Sequence, residues 1–271
     1  MNNPWGYGAL LLYAISLALY LWHLNGNDRR IGYGASLALV AALVLHYFAL
    51  LQRSHLVHSV PYDDLYGSMS LFAWLLAFTY LALETFHRQR TVGAFVMPVV
   101  IVWLVVAMLN APRAVPAPAP ARGALFALHV TLNILAYAAF ALSFVLSLIY
   151  LLQNRMLRAR KPTRVFWRFP PLDVLDTMSR SSVAVGMAAL LVGAAFGFVW
   201  EHRLRGTYGS GDPKVLVTAL ILLLYGAYLW LARAIRWRGA RAALLCAWNF
   251  VLVIFSYSIV NLYLTRFHRF Y

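Results

Sequence analysis

The stretch FALHVTLNILAYAAFALSFVLSLIYLLQ, residues 126–153, decides the fold class of this protein. It contains no Asp, Glu, Lys or Arg and is rich in Leu, Ala and Phe. About 20 apolar residues in a helix are enough to cross the roughly 30 Å hydrocarbon core of a bilayer. The run therefore predicts a transmembrane helix over residues 124–153, long enough to project into water at one end.

Other parts of the chain repeat this apolar pattern. The chain is 63% hydrophobic and 11% charged, whereas soluble domains are about half apolar and about a quarter charged. No run alternates in polarity as a membrane β-barrel requires. We therefore predict an all-α polytopic bundle of about eight transmembrane helices in a single domain over 1–271. The other predicted spans are 6–24, 31–51, 68–86, 92–110, 181–200, 214–235 and 240–264.

The basic residues predict the orientation of the chain in the membrane. The net charge is +15, and most Lys and Arg lie in the connections after the first, third, fifth and seventh spans. The heaviest block is NRMLRARKPTRVFWRF, residues 154–169. Cytoplasmic loops carry such an excess, so both termini are expected to be extracytoplasmic in a plasma or inner membrane. The loop placement attributes the charge to topology and anionic lipid rather than to nucleic acid.

Few of the common chemical motifs occur. The one cysteine, Cys246, excludes an intrachain disulfide, and no Cys-x-x-Cys-His marks a c-type cytochrome. No zinc spacing or phosphate-binding glycine motif is found. The spans carry almost no acidic residues, which argues against a secondary transporter with charges at mid-membrane. Glu84, at the end of the third span, is the exception, and we expect it at the membrane interface.

Histidines supply the candidate ligands. His129 begins a polar stripe with Asn133 and Tyr137 on one helix face. His268 continues a second polar face that runs through 258, 261 and 265, and His46 lies in the outer part of the second span. Polar stripes within membrane spans face protein or a cavity rather than lipid. Neutral imidazole is a haem ligand, so one reading is a shared metal site; the other is that each histidine only hydrogen-bonds between helices.

The segment GTYGSGDPKVLV, residues 206–217, separates two apolar runs. Asp212 and Pro213 fit the N-cap and the first position of a helix. Lys214 is not explained in this way, because a cation in the first turn opposes the helix dipole. It also lies on the side predicted to be poor in Lys and Arg, and Arg203, Arg205 or Lys214 is therefore a candidate to pair with the propionates of a haem.

Four segments together resemble the CcsA/HemX/YpjD-type cytochrome c assembly proteins over about residues 35–271. They occur in the order found in that family. The segments are SVPYDDLYGSMSLFAWLLAFTYLALE (59–84), the 126–153 helix, PPLDVLDTMSRSSVAVGMAALLVGAAFG (170–197) and FSYSIVNLYLTRFHRFY (255–271).

The resemblance implies a haem-handling role at the outer face of the membrane. In that family haem is presented there for attachment to apocytochrome c. It implies that His129 and His268 are axial ligands of the iron of a transiently held b-type haem, and that His46 matches a family histidine of unknown role. The expected partners are apocytochrome c or another cytochrome assembly membrane protein, together with membrane lipid.

The tryptophan-rich loop of the family is degenerate here. Asp212, Pro213 and Lys214 remain and Tyr208 is the aromatic residue, but the three tryptophans and a glutamate are absent. Trp230 also stands near the place where full synthases have a further histidine. The chain is therefore expected to be an accessory or partner subunit of a haem lyase system rather than a complete enzyme. The alternative is a haem-free membrane scaffold or assembly factor linked to ion transport or metal resistance.

Overall fold

All regular structure in the described part of the chain is helical. The computed structural model describes residues 3–26, 28–57, 65–110, 123–160, 166–206, 213–233 and 239–259. Within them lie eight α-helices and one short 3-10 helix, Phe166–Arg168, which confirms the predicted all-α bundle. The α-helices are α1 (Pro4–Gly26), α2 (Arg29–Val57), α3 (Leu65–His87), α4 (Gly93–Leu109), α5 (Gly123–Arg158), α6 (Leu172–Arg205), α7 (Pro213–Leu231) and α8 (Ala240–Ile259).

The helices have the length and surface of membrane spans. Among the described residues, α1, α2, α3, α5 and α6 are long and apolar enough to cross a bilayer, and α4, α7 and α8 are shorter apolar helices. Large apolar side chains point outward, with Leu37 and Trp230 70% exposed and Leu109 80% exposed. A water-soluble surface would not carry so many. The protein is therefore a multi-pass membrane protein; its orientation stays a prediction.

Several helix boundaries differ from the predicted spans for a simple physical reason. The sixth helix begins at Leu172, well before the predicted 181. The prediction followed the apolar run alone, whereas the helix also includes a preceding segment that carries charged residues. Asp176 and Arg180 pair there at i and i+4, with 3.2 Å between their charged groups. α5 extends to Arg158, as expected of a helix longer than a bilayer requires. α7 begins at Pro213, the predicted first helical residue.

The described chain groups into two compact units. The first comprises Met1–Ala121 and Leu152–Leu175, and the second comprises Arg122–Leu151 and Asp176–Tyr271. The helices α5 and α6 each contribute to both. That the chain acts as a single domain stays a prediction.

The first unit is held together by close packing around α4. A Cβ atom on Gly93 would lie 2.6 Å from the Tyr80 hydroxyl and 2.7 Å from the Tyr20 ring. Only a residue without a side chain lets α4 approach these tyrosines, whose rings meet edge to face at 5.9 Å. Trp74 Nε1 donates to the carbonyl of Leu43 at 2.9 Å, which links α3 to α2.

The second unit packs α5 antiparallel to α6 through glycines. A Cβ on Gly186 would lie 2.6 Å from the Phe140 ring. Phe140 in turn stacks on Tyr225 of α7, with 3.9 Å between ring centroids. Small residues at helix contacts allow backbones to approach closely. In a membrane this matters because helices associate through van der Waals packing rather than through the hydrophobic effect. The same glycine-rich face of α6 creates the candidate site described below.

Candidate functional site

The His129 ring is docked against the backbone of α6. Its Nδ1 lies 2.8 Å from the carbonyl oxygen of Gly193. A carbonyl oxygen only accepts, so the hydrogen is on Nδ1. In the neutral ring the basic lone pair is then on Nε2. This arrangement, in which one ring nitrogen donates to a carbonyl, is the one that usually orients a metal-binding histidine.

Two glycines make room for this ring. A Cβ on Gly197 would lie 2.5 Å from the Cε1 and Nδ1 atoms of His129, closer than any real side-chain carbon comes. A Cβ on Gly193 would lie 3.1 Å from Leu132 and 3.2 Å from the Asn133 amide oxygen. As residue numbers rise along α5, those of the partners on α6 fall, as antiparallel helices require. The glycines at 193 and 197 thus form a notch shaped to the histidine.

Asn133, one turn further along α5, supports the same face. Its side-chain amide donates to the His129 carbonyl at 2.8 Å and lies 3.1 Å from Nδ1 of the ring. Because Nδ1 already donates to Gly193, the contact to Nδ1 is a packing contact; the same amide nitrogen lies 3.4 Å from Nε2, the ring nitrogen that can accept. The predicted pairing of His129 with Asn133 on one face is confirmed by these contacts.

Aromatic side chains flank the site where α5 begins and α6 ends. The rings of Phe126 and Trp200 lie 5.0 Å apart, tilted at 47°. Phe126 is buried and Trp200 is half-buried. Phe126 lies three residues before His129 on α5 and Trp200 three residues after Gly197 on α6, so the aromatic pair is about one turn from the histidine along each helix.

The comparisons with known proteins match most of the chain. The family model described as "Cytochrome C assembly protein" matches residues 62–268. The chain belongs to the cytochrome c assembly protein family. The membership of the cytochrome c assembly family that the motifs predict is thereby confirmed.

Relatives in the cytochrome c assembly protein family carry two names. The "Cytochrome c biogenesis protein CcsA" of Synechococcus sp. (strain CC9902) is 28% identical, covering 95% of this chain and 92% of the relative. "Protein HemX" of Bacillus subtilis (strain 168) is 26% identical, covering 97% of this chain and 96% of the relative. "Protein HemX" of Brevibacillus brevis is 27% identical, covering 92% of each. The similarity thus extends over almost the whole length of the relatives.

His46, the other described candidate ligand of this family member, lies in the first unit and is fully buried. Its Nδ1 lies 3.2 Å from the Tyr13 hydroxyl, and its Nε2 lies 2.9 Å from the Ser70 hydroxyl. Both ring nitrogens therefore have hydrogen-bonding partners from neighbouring helices. A ligand role for His46 stays a prediction, and it would require one of these bonds to be given up.

The remaining candidates lie at or beyond the edges of the described residues. His268, Tyr208 and Asp212 are outside them, and Lys214 is the second residue of α7. Trp230, which replaces the synthase histidine, lies on an exposed face of α7. No cluster of three or more His, Cys, Asp or Glu side chains that could hold a metal ion occurs among the described residues.

Glu84 is buried in the first unit and bonded to three hydroxyl groups. Its side chain is only 1% exposed, so the protein encloses it, and the expected position at the membrane interface stays a prediction. Its carboxylate accepts hydrogen bonds from the Tyr20 and Tyr80 hydroxyls, each at 2.5 Å, and from Ser36. Arg90 Nε lies 3.8 Å away. Of these partners only Tyr80, four residues earlier on the same helix, could have been suggested by sequence spacing.

Proposed function

We propose that this protein handles haem at the outer face of the membrane during cytochrome c assembly, as an accessory or partner subunit. Membership of the cytochrome c assembly family and the names of the CcsA relatives support the assembly role. The observation that carries the haem proposal is the fixed imidazole of His129, with Nδ1 bonded to the Gly193 carbonyl. When bound, haem would supply an iron centre with axial positions for imidazole nitrogens.

In this proposal His129 uses Nε2 as the ligand atom, and the 3.4 Å contact from the Asn133 amide to Nε2 gives way when the iron binds. The bond from Nδ1 to the Gly193 carbonyl holds the tautomer and increases the basicity of the ring. Gly197 permits the ring to lie flat against α6, since any side chain there would displace it. Asn133 fixes the adjacent turn of α5. Two glycines and one side-chain amide therefore act together to orient the imidazole of His129.

The second half of the proposed site comes from the family resemblance. His268 is the proposed second ligand of the iron, Tyr208 would lie against the porphyrin, and Asp212 with Lys214 would form the remnant of the tryptophan-rich loop. Lys214, together with the exposed Arg203 near the end of α6, is suited to pair with propionate carboxylates. His46 is retained as a weaker candidate, because its two hydroxyl partners already satisfy the ring.

The proposed partners follow from the assembly role. Apocytochrome c or another membrane protein of cytochrome assembly would receive or deliver the haem. The protein would act in the plasma or inner membrane, with the haem-binding loops on the extracytoplasmic side, as the distribution of Lys and Arg favours. The reduced loop argues for a partner that completes the site.

The test is haem binding by the full chain. The protein would be purified from haem-replete membranes, and its Soret absorbance measured per mole of protein for the parent, His129→Ala and His268→Ala. His55→Ala is the matched control, because His55 is an exposed histidine near the end of α2. We expect the band in the parent and the control, and its loss in the two ligand variants. A band unchanged in both ligand variants would refute the ligand assignment.

A haem-free scaffold or assembly factor linked to ion transport or metal resistance is the second candidate. The specific observation that favours it is the absence of the three family tryptophans between Arg205 and Asp212. If the parent protein binds no haem in the same experiment, this second candidate replaces the first. The family membership is unaffected by either result.

A further inference from the structure

A pocket lined by basic side chains lies at one end of the first unit. It has a volume of about 550 Å³ and lies where α1 ends, α2 begins and the turn between α3 and α4 passes. The membrane-span candidates α1, α2 and α3 all begin or end here, which places the pocket at the level of lipid headgroups. The lining side chains used below are Arg29, Tyr33, Arg88, Arg90 and Thr91.

The three arginines differ in how their charge is balanced. Arg90 is held in place, with its guanidinium 3.9 Å from the centre of the Tyr33 ring and its Nε 3.8 Å from Glu84. Arg29 and Arg88 are exposed and form no ion pair with any residue in the described part of the chain. The adjacent Asp28 carboxylate instead accepts from the Arg30 backbone N–H at 2.8 Å, so two positive charges line the pocket without an ion-pair partner among the described residues.

Thr91 adds an unmet hydrogen-bonding group. Its hydroxyl oxygen is buried and has no hydrogen-bond partner among the described residues. Buried polar groups are nearly always bonded, so each exception calls for an explanation. An anion in the pocket would provide the acceptor that this hydroxyl lacks.

The backbone at Arg88 supports the same reading. Its φ is +56°, in the left-handed region where glycine is favoured and other residues are strained. This position follows directly after the end of α3, where glycine is the usual residue. Arginine at a position suited to glycine indicates that the cation itself is useful there.

We propose that this pocket binds the phosphate group of an anionic ligand. Guanidinium groups form paired hydrogen bonds with phosphate, and two of the three arginines at this pocket have no ion-pair partner in the described part of the chain. A phosphate with its attached organic group fits the pocket volume. The phosphate belongs either to an anionic phospholipid headgroup or to a soluble phosphate ester. The site is separate from the proposed haem site and does not depend on it.

The test uses the full chain in non-ionic detergent. Ligand adducts would be counted by native mass spectrometry, and thermal unfolding measured, with phosphatidylglycerol, phosphatidylcholine and glycerol 3-phosphate as probes. The test variant is Arg29→Gln with Arg88→Gln. The matched control is Arg155→Gln with Arg158→Gln, which removes two exposed arginines from the last turns of α5 outside the pocket.

We expect phosphatidylglycerol to bind the parent and the control more tightly than phosphatidylcholine, and the test variant to lose about tenfold or more in affinity. Thr91→Val should also bind more weakly, yet unfold at a higher temperature without ligand, because it removes an unmet buried hydroxyl. Equal binding of glycerol 3-phosphate would assign the site to soluble phosphate esters rather than lipid. Equal affinities in the parent and the test variant, or an equal loss in the control, would overturn the proposal.

Discussion

His46 and His129 both lie inside apolar helices, one in each unit, but they are held in opposite ways. The nitrogens of His46 meet two hydroxyl groups, from Tyr13 and Ser70. A hydroxyl can donate or accept, so either tautomer of His46 is satisfied. His129 instead points Nδ1 at a backbone carbonyl, which only accepts, so its tautomer is fixed. The chemistry of the partner, rather than depth in the membrane, separates a structural histidine from a ligand candidate.

The largest expected effect is a rescue of haem binding at His129. His129→Gly should lose the Soret band, and added imidazole should restore it, because the notch at Gly193 and Gly197 would accept the free ring. His46→Gly should show no such rescue, since both ring nitrogens of His46 already meet hydroxyl groups and make it the weaker ligand candidate. The measurement is the Soret absorbance against imidazole concentration. Rescue by imidazole in the His46 variant alone would identify His46 as the ligand and His129 as the structural histidine.

Removing the His46 ring should reduce stability rather than haem binding. His46→Ala leaves the Tyr13 and Ser70 hydroxyls without their partner and creates a cavity in a fully buried site. The expected loss is about 2–4 kcal/mol in the free energy of unfolding. Thermal unfolding in detergent measures it, with the exposed His55→Ala as the control. A loss as small as that of the control would show that the buried bonds contribute little.

The glycine notch can be tested with a single methyl group. Gly197→Ala would place a Cβ 2.5 Å from the His129 ring and displace it, which should weaken haem binding about tenfold. Gly226→Ala is the matched control, because its nearest neighbouring atom, in Met187, lies 3.8 Å away. Haem titrations of both variants measure the difference. Equal affinity for the two would mean that the ring position does not control binding.

The smallest effect is expected from Asn133. Asn133→Ala removes the amide bond to the His129 carbonyl and should weaken haem binding about twofold, as local side-chain bonds in helices are weak. Asn110→Ala removes a similar bond, at 2.7 Å to the Val106 carbonyl, far from the histidine in sequence. It should leave haem binding unchanged. A loss above about tenfold for Asn133→Ala would instead indicate direct contact with the ligand.

Much of the fold was predictable because the length of an apolar run can be read directly from consecutive residues. Each predicted span corresponds to a helix in the described residues, and the Pro213 start of α7 followed from the preference of proline for the first helical position. The early start of α6 at Leu172 was missed, because the first turns of a helix outside the hydrocarbon need not be apolar. His129 and Asn133 were found together because i and i+4 lie on one helix face.

The candidate site was predictable only in part. The i, i+4 spacing of His129 and Asn133 identified the helix face of the histidine but not its hydrogen-bond partner. That partner is the backbone carbonyl of Gly193, and because every residue has a backbone carbonyl, the sequence gives no sign of which one is used. The burial of Glu84 was not predicted for a similar reason: its hydroxyl partners come from α1, α2 and α3. The roles proposed for His268, Tyr208 and Asp212 rest on the family resemblance.

The sequence by itself determined that this is a multi-pass helical membrane protein of the cytochrome c assembly family. The membrane helices follow from runs of consecutive apolar residues, and the family follows from short motifs that occur in a fixed order along the chain. Only the tertiary structure decided which histidine has a fixed tautomer, and that Glu84 is buried and bonded. Such pairings join atoms on separate helices, and their geometry depends on how closely glycines let those helices approach.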